Sequence, residues 1–186
     1  MELKLNGGWR VTHIPYKEAI DFILEKNFVP EGWMDADIPE EIHATLRRAG
    51  VLQGNTYGKD PMEESWVEAC DWVYYRAFFA PKELECQTVA LDFQGLDTFC
   101  EIYLNGECIG AHKNMFVPFC ADVKTKLQYG KRNVLIVRFF SPVHSVEGLD
   151  DNRIFSNTTS DRIFARKAQM NYQWDFCGRC VTTGIW

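Results

Sequence analysis

From Trp72 onward the chain is written in short apolar runs, each closed by residues that stop a strand, and this punctuation is what most narrows the possible folds. Trp72-Val73-Tyr74-Tyr75-Arg76-Ala77-Phe78-Phe79 ends before Pro81, Thr88 to Phe93 and Thr98 to Leu104 follow, and Val134 to Phe140 stops at Ser141-Pro142. Runs of this length, rich in aromatic and β-branched residues, read as strands. Asn105-Gly106 between two of them is the strongest turn signal in the chain, because both central positions of a type I′ turn need positive φ, and it predicts a hairpin into Cys108-Ile109-Gly110. Leu3 to Val11 reads as an opening strand. Many short strands with little helix predict an all-β fold, an antiparallel jelly-roll β-sandwich with one or two short helices near the N-terminus.

The helices come from a change of period. Ala19, Ile20, Ile23 and Leu24 share one face between Tyr16 and Lys26, with Glu18, Asp21, Glu25 and Lys26 opposite and Pro30 blocking continuation. A second helix is expected from Pro39 to Ala49, with Glu40 and Glu41 at its positive end, Arg47 and Arg48 at the other, and Gly50 as the stop. Ile42 and Leu46 would face inward. A chain of 186 residues is long enough for one domain that buries about 70% of its unfolded surface, and no linker or internal repeat divides 1–186. Thirteen Phe, seven Tyr and six Trp are read mainly as a large aromatic core, with sugar-stacking platforms the minority use.

Charge and cysteine usage exclude several functions. A net charge of −6 speaks against a nucleic-acid surface, and no stretch approaches the length of a membrane span. With no basic and apolar leader after Met1, a cytoplasmic location is expected. Seven scattered cysteines, an odd number without framework spacing, read as reduced and mostly buried thiols. Asn157-Thr158-Thr159 has the form of a glycosylation acceptor, of no consequence without a leader. Cys177-Gly178-Arg179-Cys180 invites a redox reading, but the β-branched run Val181-Thr182-Thr183 reads as strand where a redox motif needs a helix. A zinc site would need two further ligands, and neither a second C-x-x-C nor H-x-x-x-H occurs. No phosphate loop, dinucleotide fingerprint or other cofactor motif is present, so neither cofactor nor metal is expected.

Arg166-Lys167-Ala168-Gln169, followed by Trp174-Asp175 and Thr182-Thr183-Gly184-Ile185-Trp186, resembles the signature that closes the N-terminal, galactose-binding-like domain of β-mannosidases of glycoside hydrolase family two. Ile38-Pro39-Glu40-Glu41-Ile42-His43 is similar to that family's V-P-G-x-V-H. Asp71 to Arg76, Phe93 to Thr98, Ile102 to Glu107 and Asn114-Met115-Phe116 resemble its other segments in the same order. The chain departs at Gln173-Trp174-Asp175-Phe176-Cys177-Gly178-Arg179, where the family has Gly-Trp-Asp-Trp-Gly-Pro-Arg, and at Glu40, where the family has glycine.

The resemblance implies an accessory domain whose partners are a catalytic (β/α)8 barrel and other domains of the same polypeptide, acting on a β-mannoside carbohydrate. Trp174 and Asp175 would reach into the barrel's sugar subsite, the indole covering the apolar face of a pyranose and the carboxylate accepting hydrogen bonds from its hydroxyls. Arg166, Lys167 and Gln169 would support the same substrate-binding site, or form a surface patch. Without the resemblance, Trp174 reads as core and Asp175 as a turn cap. No catalytic residue is expected in this chain: the family's acid/base glutamate directly follows an asparagine, and no Asn-Glu dipeptide occurs here. The alternatives are a stand-alone carbohydrate-binding module and a purely structural interdomain scaffold.

Overall fold

The computed structural model describes residues 2–53, 63–85, 88–149, 160–175 and 177–186. The first half supplies strand β1 (Trp9–Ile14), helix α1 (Asp21–Leu24), strands β2 (Met34–Ala36) and β3 (Glu40–Glu41), and helices α2 (Ile42–Arg48) and α3 (Trp66–Ala69). The long strand β4 (Asp71–Ala80) is followed by β5 (Ala90–Phe93), β6 (Leu96–Asp97), β7 (Cys100–Leu104), β8 (Glu107–His112), β9 (Phe119–Asp122), β10 (Lys131–Phe139) and β11 (Gly184–Ile185). One layer is a six-stranded antiparallel sheet in the order β2-β1-β4-β10-β7-β8; facing it are β3-β11-β6 and the ribbon β5-β9. The all-β sandwich expected from the punctuated runs is therefore what forms.

Alternation along β4 and β10 builds two apolar layers on the two faces of one sheet. Trp72, Tyr74, Leu135, Val137 and Phe139 point into the sandwich against Phe93, Leu96, Ile185 and the inward face of α2, Ile42 and Leu46. Val73, Tyr75 and Ile136 point the other way, where Ile20 and Ile23 cover them together with Phe28 and Trp33. Each such side chain contributes about 1.5–3 kcal/mol by leaving water, so the β4–β10 ladder, paired from Lys131↔Ala80 to Phe139↔Trp72, is the spine of the domain. Asn105 and Gly106 hold φ of 54° and 85°, the double positive φ predicted for the hairpin between β7 and β8.

Three local expectations shift. The opening strand begins at Trp9 rather than Leu3, because the chain before it leaves extended geometry at Gly8 (φ 72°). Helix α1 keeps only Asp21–Leu24: Lys17 turns to φ 59° and its N–H donates to Asp71 Oδ2 at 2.9 Å, so a tertiary hydrogen bond overrides the helical pattern from Tyr16. Helix α2 begins at Ile42 rather than Pro39, because Glu40 and Glu41 pair with β11. Glu41 becomes the N-cap, its carboxylate accepting from His43 N at 2.8 Å and Ala44 N at 2.7 Å. The cysteines are less buried than expected. Of the six described, all free, Cys100 is buried, Cys70, Cys177 and Cys180 are half-buried, and Cys108 and Cys120 are exposed on β8 and β9. Cys86, Asn157 to Thr159 and Phe176 lie outside the described residues, as does the middle of the polar segment expected from His144 to Arg162.

Candidate functional site

Among the described residues between Phe164 and Thr183 no regular strand forms, and side chains do the work that a ladder does elsewhere. Ala165, Tyr172 and Val181 bury themselves with Val146 against Phe99, Val143 and Phe164, an apolar cluster separate from the sandwich core. Asn171 and Cys180 exchange two hydrogen bonds, Cys180 N to Asn171 O at 2.8 Å and Asn171 Nδ2 to Cys180 O at 3.0 Å. Arg179 binds the Glu68 carboxylate at 2.8 Å and lies over the Tyr172 ring at 5.4 Å. These ties turn an irregular strap into a fixed support.

Lys167 is the deepest of them, 1% exposed, with its ammonium donating to Asp97 and, at 2.6 Å, to Thr182 O. Burial pulls this lysine below its ordinary pKa, only partly opposed by Asp97. The pair is thus a positioning device more than a source of stability. It joins β6 to both ends of the strap and cannot itself reach a ligand.

The strap presents a tight turn. Trp174 and Cys177 exchange backbone hydrogen bonds at 3.1 and 3.2 Å, and Gln173 ahead of them holds φ 94°, a conformation that only over-determined surroundings sustain. Trp174 is 47% exposed, with Arg162 5.5 Å from its ring centre. Asp175 is exposed on the same turn and makes no hydrogen bond among the described residues. Neither residue is the core side chain or turn cap that the bare sequence also allowed. Arg166 is exposed, its carbonyl accepting from Met115 N at 3.0 Å beside an Asn114–Arg166 bridge. Gln169 is exposed too, but its amide donates to Arg162 O at 3.0 Å and Lys167 O at 3.1 Å, bracing the strap. Of the five candidates, Trp174, Asp175 and Arg166 therefore point outward, Lys167 points inward and Gln169 serves the backbone.

Residues that the sequence did not single out complete the support. Glu41 accepts from Thr182 Oγ1 at 2.6 Å while it caps α2, so one carboxylate ties the helix to the end of the strap. Burial would raise Glu41, but hydrogen bonds from His43 and Thr182 outweigh it and hold the carboxyl down to about 2. Burial would likewise lower His43, which Cys180 and Glu41 instead push up to about 9. A partner for Lys167 could not be found in sequence, since Asp97 lies in an apolar stretch seventy residues away.

A cavity of about 480 Å³ lies elsewhere. Its lining mixes apolar side chains, Trp9, Phe78, Leu135 and Trp186 among them, with the polar Asn6 and Asp92. Among the described residues no cluster of three or more His, Cys, Asp or Glu is placed to hold a metal ion, and no helix is long and apolar enough to cross a membrane.

Known proteins share this architecture. The β-D-mannosidase of Dictyoglomus thermophilum superposes over the whole chain with a TM-score of 0.84 and 35% identity, the match covering 22% of that protein. The β-glucuronidase of Lactobacillus rhamnosus superposes over 75% of the chain with a TM-score of 0.57 and 23% identity, which establishes a common fold. β-Mannosidase B of Aspergillus niger is 30% identical over 162 residues, 84% of this chain and 19% of the relative. The chain thus spans about a fifth of the length of the curated relatives it matches. Residues 9–186 also match the model of the glycosyl hydrolase 2 galactose-binding domain-like family. With the sandwich, the strap and the match all running to Trp186, the chain belongs to the galactose-binding-like domains of glycosyl hydrolase 2 proteins.

Proposed function

We propose that the chain is the sugar-binding accessory domain of a β-mannosidase-like glycosidase, and that Trp174 and Asp175 supply one side of a sugar subsite completed by a catalytic domain of the same polypeptide. The observation that carries this reading is the turn itself: a half-exposed indole and a solvent-facing carboxylate stand side by side on a support held by Lys167, Asn171 and Glu41. Holding polar recognition groups on a rigid base is how a site gains selectivity, since little conformational freedom is then lost on binding. Exposed Phe116, Ile163 and Met170, carried by the strap and the segment bridged to it, support an adjoining protein surface on this side.

In this role the two residues select and position, while bond cleavage belongs to carboxyl groups outside this chain. Asp175→Ala in the intact protein is expected to lower kcat/KM for an aryl β-mannoside by about 10- to 100-fold, the equivalent of one hydrogen bond to a charged group, with an unchanged unfolding midpoint. Unchanged activity would instead favour a purely structural domain. Calorimetry of the domain alone with mannose and manno-oligosaccharides is expected to give negligible heat; clear binding would favour a stand-alone module.

A further inference from the structure

The cavity of about 480 Å³ is built from both layers, and its floor differs in chemistry from its mouth. The six-stranded sheet contributes Trp9, Phe78 and Leu135, and the ribbon contributes Leu91 and Phe93. Trp9, Phe93 and Leu135 are buried and form the floor. The one polar group on these side chains, the indole N–H of Trp9, is already spent on Leu5 O at 2.6 Å. A guest finds no hydrogen-bond partner among them, so only an apolar group gains by entering.

The mouth is the opposite. Asn6, Asp92 and Gln94 line it from exposed positions; Gln94 Nε2 donates to Asp92, and Asn6 Nδ2 reaches only Ile38 O, at 3.5 Å. Beside them lies Trp186, 41% exposed. Its backbone exchanges two hydrogen bonds with Gly95, at 2.8 and 3.1 Å, and its ring lies so close over Gly95 that a Cβ there would overlap it. The indole is thereby fixed against the backbone as a platform on which the apolar face of a pyranose can rest, with two amides and a carboxylate at the same mouth to meet the hydroxyls. Glu2, Lys4 and Asp92 leave no excess of positive charge there to hold an anionic head.

We propose that this cavity is a second carbohydrate site, which takes a glycoside carrying an apolar aglycone. The aglycone enters between the layers, and the sugar ring stacks on Trp186 with its hydroxyls bonded to Asn6, Asp92 and Gln94. The volume suits such a guest, since small-molecule sites measure about 300–1,000 Å³. The site uses neither Trp174 nor Asp175, so it stands or falls apart from the subsite proposed for them.

The test is calorimetry on the intact protein carrying Asp175→Ala, which weakens the subsite at Trp174. The probe is octyl 1-thio-β-D-glucoside below its micellar concentration, whose sulfur linkage resists hydrolysis. Saturable binding is expected. Methyl 1-thio-β-D-glucoside should bind at least about tenfold more weakly for want of the chain, and octanoate at least about tenfold more weakly for want of the sugar. Leu91→Trp, which fills the floor, and Trp186→Ala, which removes the platform but keeps the backbone bonds to Gly95, should each weaken the octyl glycoside at least about tenfold. No saturable binding, octanoate or the methyl glycoside binding as tightly as the octyl glycoside, or full affinity in either folded variant overturns the proposal. Should Leu91→Trp not fold, the ligand ratios and Trp186→Ala decide the matter.

Discussion

Among the described residues two buried ion pairs hold this domain, and they serve opposite ends of its order. Asp71 and Arg138 sit at adjoining ends of β4 and β10, strands already locked by nine residue pairs. Asp97 and Lys167 join a two-residue strand to a strap with almost no ladder of its own. Asp71 is completely satisfied: Arg138 donates twice to Oδ2, at 2.7 and 3.1 Å, Lys17 N donates to Oδ2 at 2.9 Å, and Ser141 N donates to Oδ1 at 2.8 Å. The first pair finishes a frame, and the second creates a position. Buried charges that support only stability are replaceable by apolar groups, whereas those that fix one arrangement of an irregular segment are not.

The largest effect should come from the frame. Asp71→Ala leaves Arg138, 6% exposed, without its carboxylate and abandons the buried N–H of Ser141 and the part-buried N–H of Lys17. Urea denaturation is expected to show a loss of about 4 kcal/mol, in the range for breaking a buried pair, with exchange protection falling uniformly. Lys167→Met should cost less, about 3 kcal/mol by the same reasoning, and should act unevenly. Amides from Arg166 to Thr183 are expected to lose protection before those of β4 and β10, together with the sugar contact proposed for Trp174 and Asp175. The same uniform pattern from both variants would erase the distinction between frame and strap.

The sequence states the frame far more clearly than the strap, for a physical reason. Period-two alternation and turn chemistry are local, so Trp72 to Phe79, Val134 to Phe140 and the Asn105-Gly106 hairpin can be placed from their own residues and nearest neighbours. The early helices can be placed only in outline: the pattern from Tyr16 is helical, but the hydrogen bond from Lys17 to Asp71 decides its start from a distance of 54 residues. The outward residues Trp174 and Asp175 come from a family resemblance rather than from any local rule. That resemblance cannot separate Lys167, which supports the site from below, from Arg166, which faces outward. Only burial makes that separation, and burial of a long polar side chain depends on a remote partner. The same holds for Glu41 and Thr182, 141 positions apart, whose hydrogen bond no spacing announces.

A smaller effect is expected from pH, and it belongs to the junction of frame and strap at Glu41 and His43. His43 is raised from an ordinary 6.5 to about 9, so its stabilisation is complete below pH 6.5 and is lost as pH rises through 9. Glu41 is lowered from 4.5 to about 2, so its stabilisation is complete above pH 4.5 and is lost as pH falls through 2. Stability from this junction should therefore be greatest between pH 4.5 and 6.5. About 3 kcal/mol should be lost as pH rises from 6.5 through 9, on the scale of 1.4 kcal/mol per pH unit. Urea midpoints across this range, compared with those of His43→Gln, isolate the contribution, because other groups titrate equally in both. Parallel alkaline limbs would mean that the junction carries no charge-dependent stability.

The smallest effect tests whether the strap is held at its base or at its tip. Arg162 lies 5.5 Å from the centre of the Trp174 ring, and with the indole 47% exposed such a contact contributes about 0.5–1 kcal/mol. Arg162→Met keeps the carbonyl that accepts from Gln169 and takes the cation from the indole. The amides of Trp174 and Cys177, which close the turn on each other, should then exchange about two- to fivefold faster by that energy, with the urea midpoint unmoved. Acceleration of a hundredfold or more would make Arg162, rather than Lys167, the clamp that presents Asp175, and the turn would be ordered from its exposed side. Little or no change would place the whole constraint below the surface, in the cation buried between Asp97 and Thr182.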